Sequence, residues 1–583
     1  MVLYKKNFIF LSLLMLVNFT TASSDGDLVI NIDEFGNVTV ANNLINVTFG
    51  SNADVLSLIK DGIDLVGTVT QRTFYFDWNA GGGKFSLTNF SIIRNTSDII
   101  HIMYFQPFSN NHLELEYHIE FHKNLSGFYQ WLQAKHTNET LSINWSEFRM
   151  IYRLSVSLIT SMSNMVRKGD IPKISKRPTI QDTTWQMADG SYWSKYDYVG
   201  YIRETSWFGL YGGLIKFCSL FNIPKLKIIN ILGGVGAWVI SASHEYHAGG
   251  PLKQDLLTQH YTLMCHYLTS SHFGSGSFSP EYGWSKVYGP WMLYVNSGSE
   301  DEMLEDVARQ ANDEKSQWPY AWLDAPNYPL ERGTVRGRVT GQPRAEVVLH
   351  DEIDEYFEWQ TKGYLFHNKT DENGNFVIRN VRPGRYVLSV YPLRGHGSEN
   401  LITRNVSIVA GNQRIEDIEL NEPKNLIWTI GETNKRADDF KYSDELRNFY
   451  WHTLPPENLT FYVGQSNSTR DWYYAQTHND GLNRTLRIAI AAASGSLIFN
   501  ITSAKLQVDV NGVVILEKEY ENDKSIYRGA LQSGKYYFEK LLIPADLVSN
   551  GKNKIGFTIS YGSFMYDAIS YQRNVIENRK NSL

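Results

Sequence analysis

The chain has 583 residues, a net charge of −6, 14% aromatic residues and two cysteines. The charge balance disfavours a nucleic-acid-binding protein, which usually presents a basic face. Two cysteines cannot provide a disulfide framework for a chain of this size. The length predicts several domains, each with its own hydrophobic core.

The N-terminus has the three parts of a secretory signal peptide. Lys5 and Lys6 precede an apolar run from Phe8 to Phe19, and small residues follow at 21–23. We therefore expect residues 1–22 to be a signal peptide and the mature protein to be secreted and extracellular. No later segment approaches the roughly 20 apolar residues of a membrane-spanning helix, so no membrane partner is predicted.

Asn-x-Ser/Thr triplets are frequent and predict a glycoprotein. Each triplet alone is weak evidence, because a chain rich in Asn and Thr carries several by chance. Their density nevertheless suits a eukaryotic extracellular protein with glycans on its loops. Outside the signal peptide, thirteen triplets begin at Asn37, Asn46, Asn89, Asn95, Asn124, Asn138, Asn144, Asn368, Asn405, Asn458, Asn467, Asn483 and Asn500.

Most of the remaining chain alternates apolar and polar residues over short runs with turn residues between them, which is typical of β-strands. Examples are 28–32, 38–40 and 148–154. We therefore expect an all-β protein whose first domain, residues 23–328, is a large β-sandwich.

The predicted strand from Phe148 to Leu154 has its arginines on one face. Alternation directs Arg149 and Arg153 away from the apolar residues of the strand. Two guanidinium groups on one face could bind a uronate carboxylate through paired hydrogen bonds. The alternative is a pair of exposed arginines on a solvated sheet face, and the pattern alone favours that alternative.

A second candidate is Lys195, which lies in the run from Asp189 to Tyr198 among four aromatic residues. A lysine is usually a solvated surface residue, and that is the default interpretation for Lys195. Its aromatic surroundings make Lys195 a candidate active-site residue.

Histidines are concentrated between residues 244 and 272, which raises the question of a metal site. The segment has neither the His-Glu-x-x-His spacing nor a Cys/His pair of zinc type, so no metal site is expected. A structural role is the default for each of these histidines. The five are His244, His247, His260, His266 and His272.

One amphipathic helix is predicted from Ser299 to Asn312, because Ser299 and Glu302 form a capping box before an apolar stripe. The proline-rich stretch that follows, 319–329, is predicted to be a linker.

Two smaller β-domains are predicted after the linker. Residues 329–422 show the alternation of a small β-sandwich of fibronectin type III or transthyretin type. Paired carboxylates such as Asp351 and Glu352, which could suggest a glycoside hydrolase, are better explained as a solvated acidic turn of this domain.

Residues 423–583 are predicted to form a jelly roll of carbohydrate-binding kind. Asn511-Gly512 between alternating residues indicates a hairpin with a type I′ turn. Trp472, Tyr473 and Tyr474 are candidates for sugar binding, with core packing as the strong alternative.

Five segments carry a family resemblance: the strand at 148–154, Lys195-Tyr196-Asp197, Gly249-Gly250-Pro251-Leu252-Lys253-Gln254-Asp255-Leu256, Ser271-His272, and Trp284-Ser285-Lys286-Val287-Tyr288-Gly289-Pro290. Together they resemble polysaccharide lyase family 4, the rhamnogalacturonan endolyases, over essentially the whole mature chain. The resemblance implies a catalytic β-sandwich of galactose mutarotase-like kind, then the fibronectin-like domain and the carbohydrate-binding jelly roll.

The resemblance also implies an activity. Such an enzyme cleaves the rhamnose–galacturonate bond of rhamnogalacturonan I, a pectin, by β-elimination and leaves an unsaturated galacturonate at the new non-reducing end. The family's catalytic lysine and histidine fall on Lys195, as general base, and His272, as general acid. The family's arginine pair falls on Arg149 and Arg153, which would bind the substrate carboxylate.

Two tyrosines precede the catalytic histidine in that family. Tyr267 matches the nearer one and would assist substrate binding, although a packing role explains it equally well. The farther position holds Cys265, a departure that puts that tyrosine's role in doubt here. A gap in the alignment of this chain with the family would place the general acid at His260, which is the reserve candidate.

The resemblance implies that no cofactor is required, because guanidinium groups take the place of the cation that some other pectate lyases use. A structural calcium elsewhere remains an alternative. The expected partner is the rhamnogalacturonan I polysaccharide, and the expected state is a monomer. Two other functions stay open: a glycoside hydrolase of similar fold, and a non-catalytic carbohydrate-binding or adhesion protein.

Overall fold

The computed structural model describes residues 26–572 apart from 80–82, 109–112, 173–178, 182–183, 188, 214–232, 260–261, 352–355, 397–401, 424–425, 444–458, 477–484, 496–499, 527, 529–531 and 550–552. The predicted signal peptide at 1–22 and Cys218 lie outside the described residues. Within these ranges, no helix is both long enough and apolar enough to cross a bilayer.

The described chain is all-β, as predicted, and its first module contains two sheets that pack face to face. The large sheet contains, in spatial order, β14 (Lys168–Asp170), β13 (Ser161–Asn164), β19 (Trp207–Gly213), β20 (Gly234–Ile240), β24 (Ser285–Gly298), β11 (Gly127–Lys135), β10 (Glu114–His122), β9 (Ile99–Gln106) and β8 (Asn89–Asn95). The site sheet contains β22 (Thr258–Gln259), β23 (Leu263–Ser270), β12 (Glu147–Arg153), β6 (Phe74–Trp78) and β7 (Gly83–Lys84).

Shorter elements surround these two sheets. A meander contains β1 (Val29–Ile32), β2 (Val38–Ala41), β3 (Ile45–Phe49), β4 (Val55–Lys60) and β5 (Ile63–Asp64). Small antiparallel sheets contain β15 (Thr179–Gln181), β16 (Thr184–Gln186) and β17 (Tyr192–Ser194), and β18 (Val199–Tyr201) with β21 (Gln254–Leu256). Short 3-10 helices span Lys195–Tyr198, Ile202–Glu204, His272–Gly274, Phe357–Trp359 and Ala545–Leu547.

The first hydrophobic core lies between the large sheet and the site sheet. Phe148, Met150 and Tyr152 of β12 are buried in it. The Trp291 indole donates a hydrogen bond of 2.6 Å to the Tyr152 hydroxyl, which in turn donates to Gln130 at 3.2 Å. The apolar face predicted for the 148–154 strand is confirmed, and the arginine face points away from this core.

Helix α1 (Glu300–Gln317) packs on the outer face of the large sheet. Its N-terminus confirms the capping box of Ser299 and Glu302, but it continues to Gln317 instead of ending at Asn312. The extension is stabilised by Glu314, which is buried and accepts hydrogen bonds from the hydroxyls of Tyr129 and Tyr320.

The proline-rich stretch after α1 packs against the first module. Tyr320, Leu323 and Tyr328 are buried in one cluster with Trp131 and Trp238 of the large sheet. The predicted linker is therefore packed against the first module.

The second module is a β-sandwich. One sheet contains β28 (Asn375–Val381), β25 (Gly333–Gly341) and β31 (Gly411–Arg414), with β32 (Ile418–Leu420) also pairing to β25, and the other contains β27 (Leu365–Lys369), β26 (Ala345–His350), β29 (Gly384–Pro392) and β30 (Ile402–Ile408). Val335, Val347 and Leu388 lie in the core between them. The acidic run at 352–355 lies outside the described residues.

Glu245 joins the first module to the second. Its carboxylate contacts Arg332 Nη1 and Arg382 Nη2, each at 2.6 Å, and all three side chains are almost completely buried. We call these three residues the clamp.

The third module also contains two sheets. One contains β33 (Leu426–Gly431), β40 (Ser563–Gln572), β35 (Thr485–Ser494) and β38 (Tyr537–Leu541), with β34 (Ala475–Gln476) paired to β40, and the other contains β37 (Val513–Glu521), β36 (Ser503–Val510) and β39 (Ile555–Tyr561). A four-residue helix, α2, spans Ser468–Asp471. The predicted hairpin is confirmed, since Asn511 and Gly512 have φ angles of 51° and 84° between β36 and β37.

The candidate sugar-binding run of the third module is mostly in its core. Trp472 and Tyr474 are 4% and 1% exposed, so core packing explains both. Tyr473 lies between them and is half-buried.

Candidate active site

The outer face of the site sheet collects side chains from three neighbouring strands. Arg149 of β12 pairs across the sheet with Asp77 of β6 and with Tyr267 of β23. Residues two apart on a strand share a face, so Arg153 continues the same surface. We call this surface the site face.

Arg149 is held by carboxylates and a phenol. Its Nε and Nη2 bond to the two oxygens of Asp77 at 2.8 and 3.2 Å, and its Nη1 donates to the Tyr267 hydroxyl at 2.8 Å. Its side chain is only 12% exposed, so it is not an arginine on a solvated face. Burial opposes its charge, but Tyr267 and Asp77 raise the pKa of Arg149 above its ordinary value on balance. Arg149 is therefore a fixed positive charge on the site face.

Arg153 lies at the edge of the site face, beside open space. Its Nη2 donates to the Tyr75 hydroxyl and its Nε to the Arg72 carbonyl, each at 3.2 Å. It also lines a cavity of about 290 Å³ together with residues 68–71, Leu154 and Val156. A ligand carboxylate could therefore reach this guanidinium.

Lys195 begins the 3-10 helix that follows β17. Ser194 caps this helix: its hydroxyl accepts from the Tyr196 backbone N–H at 3.2 Å, and its own N–H donates to Asp197 at 3.0 Å. The Lys195 ammonium lies 5.1 Å from the centre of the Tyr196 ring. Tyr196 is buried in the same cluster as Tyr267, so the helix that carries Lys195 is anchored beside the site face.

His272 follows β23 and begins the 3-10 helix His272–Gly274. Its Nε2 lies 2.8 Å from Glu147 Oε1. Its ring centre is 5.9 Å from that of Tyr267. Phe273, which has a left-handed φ of 53°, contacts Tyr196 with ring centres 6.2 Å apart. The helix that carries Lys195 and the loop that carries His272 are thus joined through this ring pair.

The main chain of the His272 loop is fixed by Lys253. The Lys253 ammonium donates to the His272 carbonyl oxygen and lies 3.4 Å from an Asp255 oxygen. Both side chains are buried, and burial lowers the pKa of Lys253 and raises the pKa of Asp255 to about 7. On the other side of the loop, a Cβ at Gly274 would collide with the backbone of Gly534, so the third module packs directly against this loop.

Cys265 occupies the farther tyrosine position and is a free, buried thiol. Gln259 donates a hydrogen bond of 3.0 Å to its sulfur. Burial raises the pKa of Cys265 to about 11, so the thiol stays protonated near neutral pH. It packs on the site face next to Tyr267 and cannot supply the phenol of the family pattern.

The other histidines of the segment lie elsewhere. His260 is outside the described residues, so the structure does not place the reserve candidate. His247 and His266 are buried and His244 is half-buried, and desolvation lowers the pKa of each, that of His266 to about 3. Within the described ranges, no three His, Cys, Asp or Glu side chains converge as a metal site would require.

Three residues of this site were missed by the sequence analysis: Asp77, Glu147 and Lys253. Glu147 had a local signal, because it lies two residues before Arg149 and alternation puts both on one face. Asp77 comes from a distant strand, and Lys253 acts through another residue's carbonyl, so neither had a local pattern that marked it.

Two family models match the chain: polysaccharide lyase family 4 domain II at residues 331–414 and polysaccharide lyase family 4 domain III at residues 426–571. The rhamnogalacturonate lyase of Dickeya dadantii is 36% identical over 559 residues, which cover 92% of this chain and 93% of that protein. The chain belongs to polysaccharide lyase family 4. It is therefore an enzyme, a polysaccharide lyase, and its second and third modules are the fibronectin type III-like and carbohydrate-binding-like domains of that family.

More distant relatives of this family 4 lyase include a probable rhamnogalacturonate lyase B of Aspergillus niger. It is 25% identical over 401 residues, which cover 62% of this chain and 52% of that protein. Among solved structures, a galactose mutarotase-like protein from Lactobacillus casei covers 45% of this chain and 100% of its own, at 9% identity and a TM-score of 0.26. A score this low supports no argument about the fold.

Proposed function

We propose that this family 4 lyase is a secreted endolyase that cleaves the rhamnose–galacturonate bond of rhamnogalacturonan I by β-elimination. The names of its relatives support the substrate. The signal-like N-terminus supports secretion. The observation that supports the chemistry is the site face, which carries Arg149 and Arg153, with His272 beside Tyr267 of the same face.

The arginines would activate the substrate. β-Elimination is open to uronates because the carboxylate acidifies the proton on C5, and negative charge moves onto that carboxylate in the transition state. Arg149 uses three of its five N–H groups for Asp77 and Tyr267, and its Nη1 also lies 3.3 Å from Glu147, so Nη2 keeps a second N–H for a ligand. Together with Arg153, it would stabilise the developing charge from a preorganised position.

Lys195 and His272 would move the protons. Lys195 removes the C5 proton, the C5–H electron pair forms the C4=C5 double bond, and the C4–O4 bond breaks with its pair on O4. His272 donates a proton to that oxygen. Lysine acts as a base only in its neutral form. The scheme requires no metal, because the guanidinium groups neutralise the carboxylate.

A glycoside hydrolase would need two free carboxylates. On the site face, Asp77 uses both oxygens for Arg149, and Glu147 uses Oε1 for His272. Neither carboxylate is therefore placed to act as acid or nucleophile, and elimination explains the site better than hydrolysis.

The test is incubation of the purified enzyme with rhamnogalacturonan I. Elimination generates ultraviolet absorbance from the new double bond, hydrolysis generates reducing ends without it, and a binding protein generates neither. Lys195→Ala and His272→Ala should each lower turnover by about 10³-fold while folding is kept. Lys168→Ala is the matched control, because that lysine is paired with Glu300 outside the site. Substantial activity in Lys195→Ala would show that the base is another residue.

A further inference from the structure

Glu147 contacts the residues proposed for two functions of the site, proton donation and substrate binding. Its Oε1 lies 2.8 Å from His272 Nε2, and its Oε2 lies 3.3 Å from Arg149 Nη1. Its side chain is 5% exposed, so both contacts are shielded from water. One carboxylate thus touches both the candidate acid and the guanidinium that would bind the substrate.

The second ring nitrogen of His272, Nδ1, is the candidate proton donor. Nδ1 is buried and forms no hydrogen bond with the described residues. A buried polar atom without a partner is uncommon in a native structure and calls for an explanation. Since Glu147 occupies Nε2, Nδ1 is the ring nitrogen left for a substrate oxygen, which must displace the side chains that now cover it.

Other elements packed around Glu147 supply further charge. The charge of Glu147 affects the pKa of several titratable groups around it. They are Asp77 on β6, Cys265 and Tyr267 on β23, and Lys253 and Asp255 around β21. Among the described residues, the ionic contacts of its carboxylate are with His272 and Arg149. Glu147 therefore links Arg149 to His272 through direct contacts.

We infer that Glu147 is the positioning residue of the general acid: it holds His272 by Nε2 in its protonated form and directs Nδ1–H toward the leaving O4. In the elimination step the Nδ1–H bond breaks, its electrons stay on the ring, and the proton joins O4, whose electron pair came from the C4–O4 bond. Neutral His272 then regains a proton from solvent. This role rests on the proposed function.

The closing experiment compares Glu147→Gln with wild type and with Glu346→Gln. Glu346 is a matched control because it is buried and bonds His367 at 2.5 Å in the second module, away from the site face. An opposite charge favours protonated histidine. Without it, the alkaline limb of the kcat profile should move to lower pH by about one unit, and kcat near neutral pH should fall about tenfold. KM should change little, because Asp77 still holds Arg149.

A second readout needs no activity. In protein labelled at histidine, the NMR signal that disappears in His272→Asn identifies His272, and its titration should move to lower pH in Glu147→Gln but not in Glu346→Gln. An unchanged His272 titration in Glu147→Gln would overturn the inference. So would a shift of equal size in Glu346→Gln, or a loss of kcat in Glu147→Gln that is fully explained by a smaller fraction of folded protein. If wild type makes no unsaturated product, the proposed function fails, and the titration still decides whether Glu147 sets the state of His272.

Discussion

The clamp between the first and second modules gives a stability prediction that can be worked from the structure. Glu245→Gln keeps the size of the side chain but removes its charge. Arg332 and Arg382 would then be two buried guanidinium groups that face each other without a carboxylate between them. We expect this change to destabilise the junction of the two modules.

The expected loss is about 3 kcal/mol. Removing one partner of a buried ion pair costs about 3–5 kcal/mol. The lower end applies, because Arg332 keeps its place over the Trp318 ring at 4.8 Å and Arg382 keeps its place over the Tyr364 ring at 3.9 Å. Such contacts retain part of the stabilisation of each cation.

The measurement is chemical denaturation followed by tryptophan fluorescence. Glu204→Gln is the control, because its ion pair with Lys369 at 3.6 Å joins the same modules but is about half exposed, and it should change stability by less than about 1 kcal/mol. A loss in Glu245→Gln no larger than in this control would refute the reasoning.

The same substitution predicts a pH dependence. Burial alone would raise the pKa of Glu245, but Arg382 and Arg332 lower it on balance below its ordinary value. A depressed folded pKa gives stability that is present above the ordinary glutamate range and is lost as the pH falls through the folded value. The difference between wild type and Glu245→Gln should therefore shrink in acid, and a constant difference would contradict the account.

Two further predictions concern the site and the helix. Arg149→Lys keeps a positive charge but loses the fork that bonds both Asp77 oxygens, so KM should rise and kcat/KM should fall about a hundredfold in initial-rate assays; unchanged values would remove Arg149 from the site. Ser299→Ala removes the cap of α1 and should lower the free energy of unfolding by about 1 kcal/mol in the same denaturation assay; no measurable loss would show that the cap is dispensable.

Local periodicity made part of this structure predictable. The alternation of 148–154 correctly separated Phe148 and Met150, in the core, from Arg149 on the site face. The start of α1 was predictable because a capping box is a local motif. Its end was not, because the last turn depends on Tyr129, a residue far away in sequence that bonds Glu314.

The candidate site was predictable only in outline. Sequence pattern favoured a solvated Arg149, since no local signal reveals that Asp77 of another strand binds it. The position of Lys195 relied on a family resemblance, because a lysine among rings has no distinctive spacing. The alternation of Trp472, Tyr473 and Tyr474 could have identified the outer residues as core, because residues two apart on a local extended run point to the same side.

The central claim is that this enzyme cleaves by elimination and not by hydrolysis. Digestion of rhamnogalacturonan I in water enriched with oxygen-18, followed by mass spectrometry of the oligosaccharides, tests it most directly. Elimination adds no water, so the new ends should carry no label at the moment of cleavage, and each product with a new non-reducing end should be lighter by one water than its hydrolytic counterpart. Products of full mass that carry one labelled oxygen per cleavage would contradict the account.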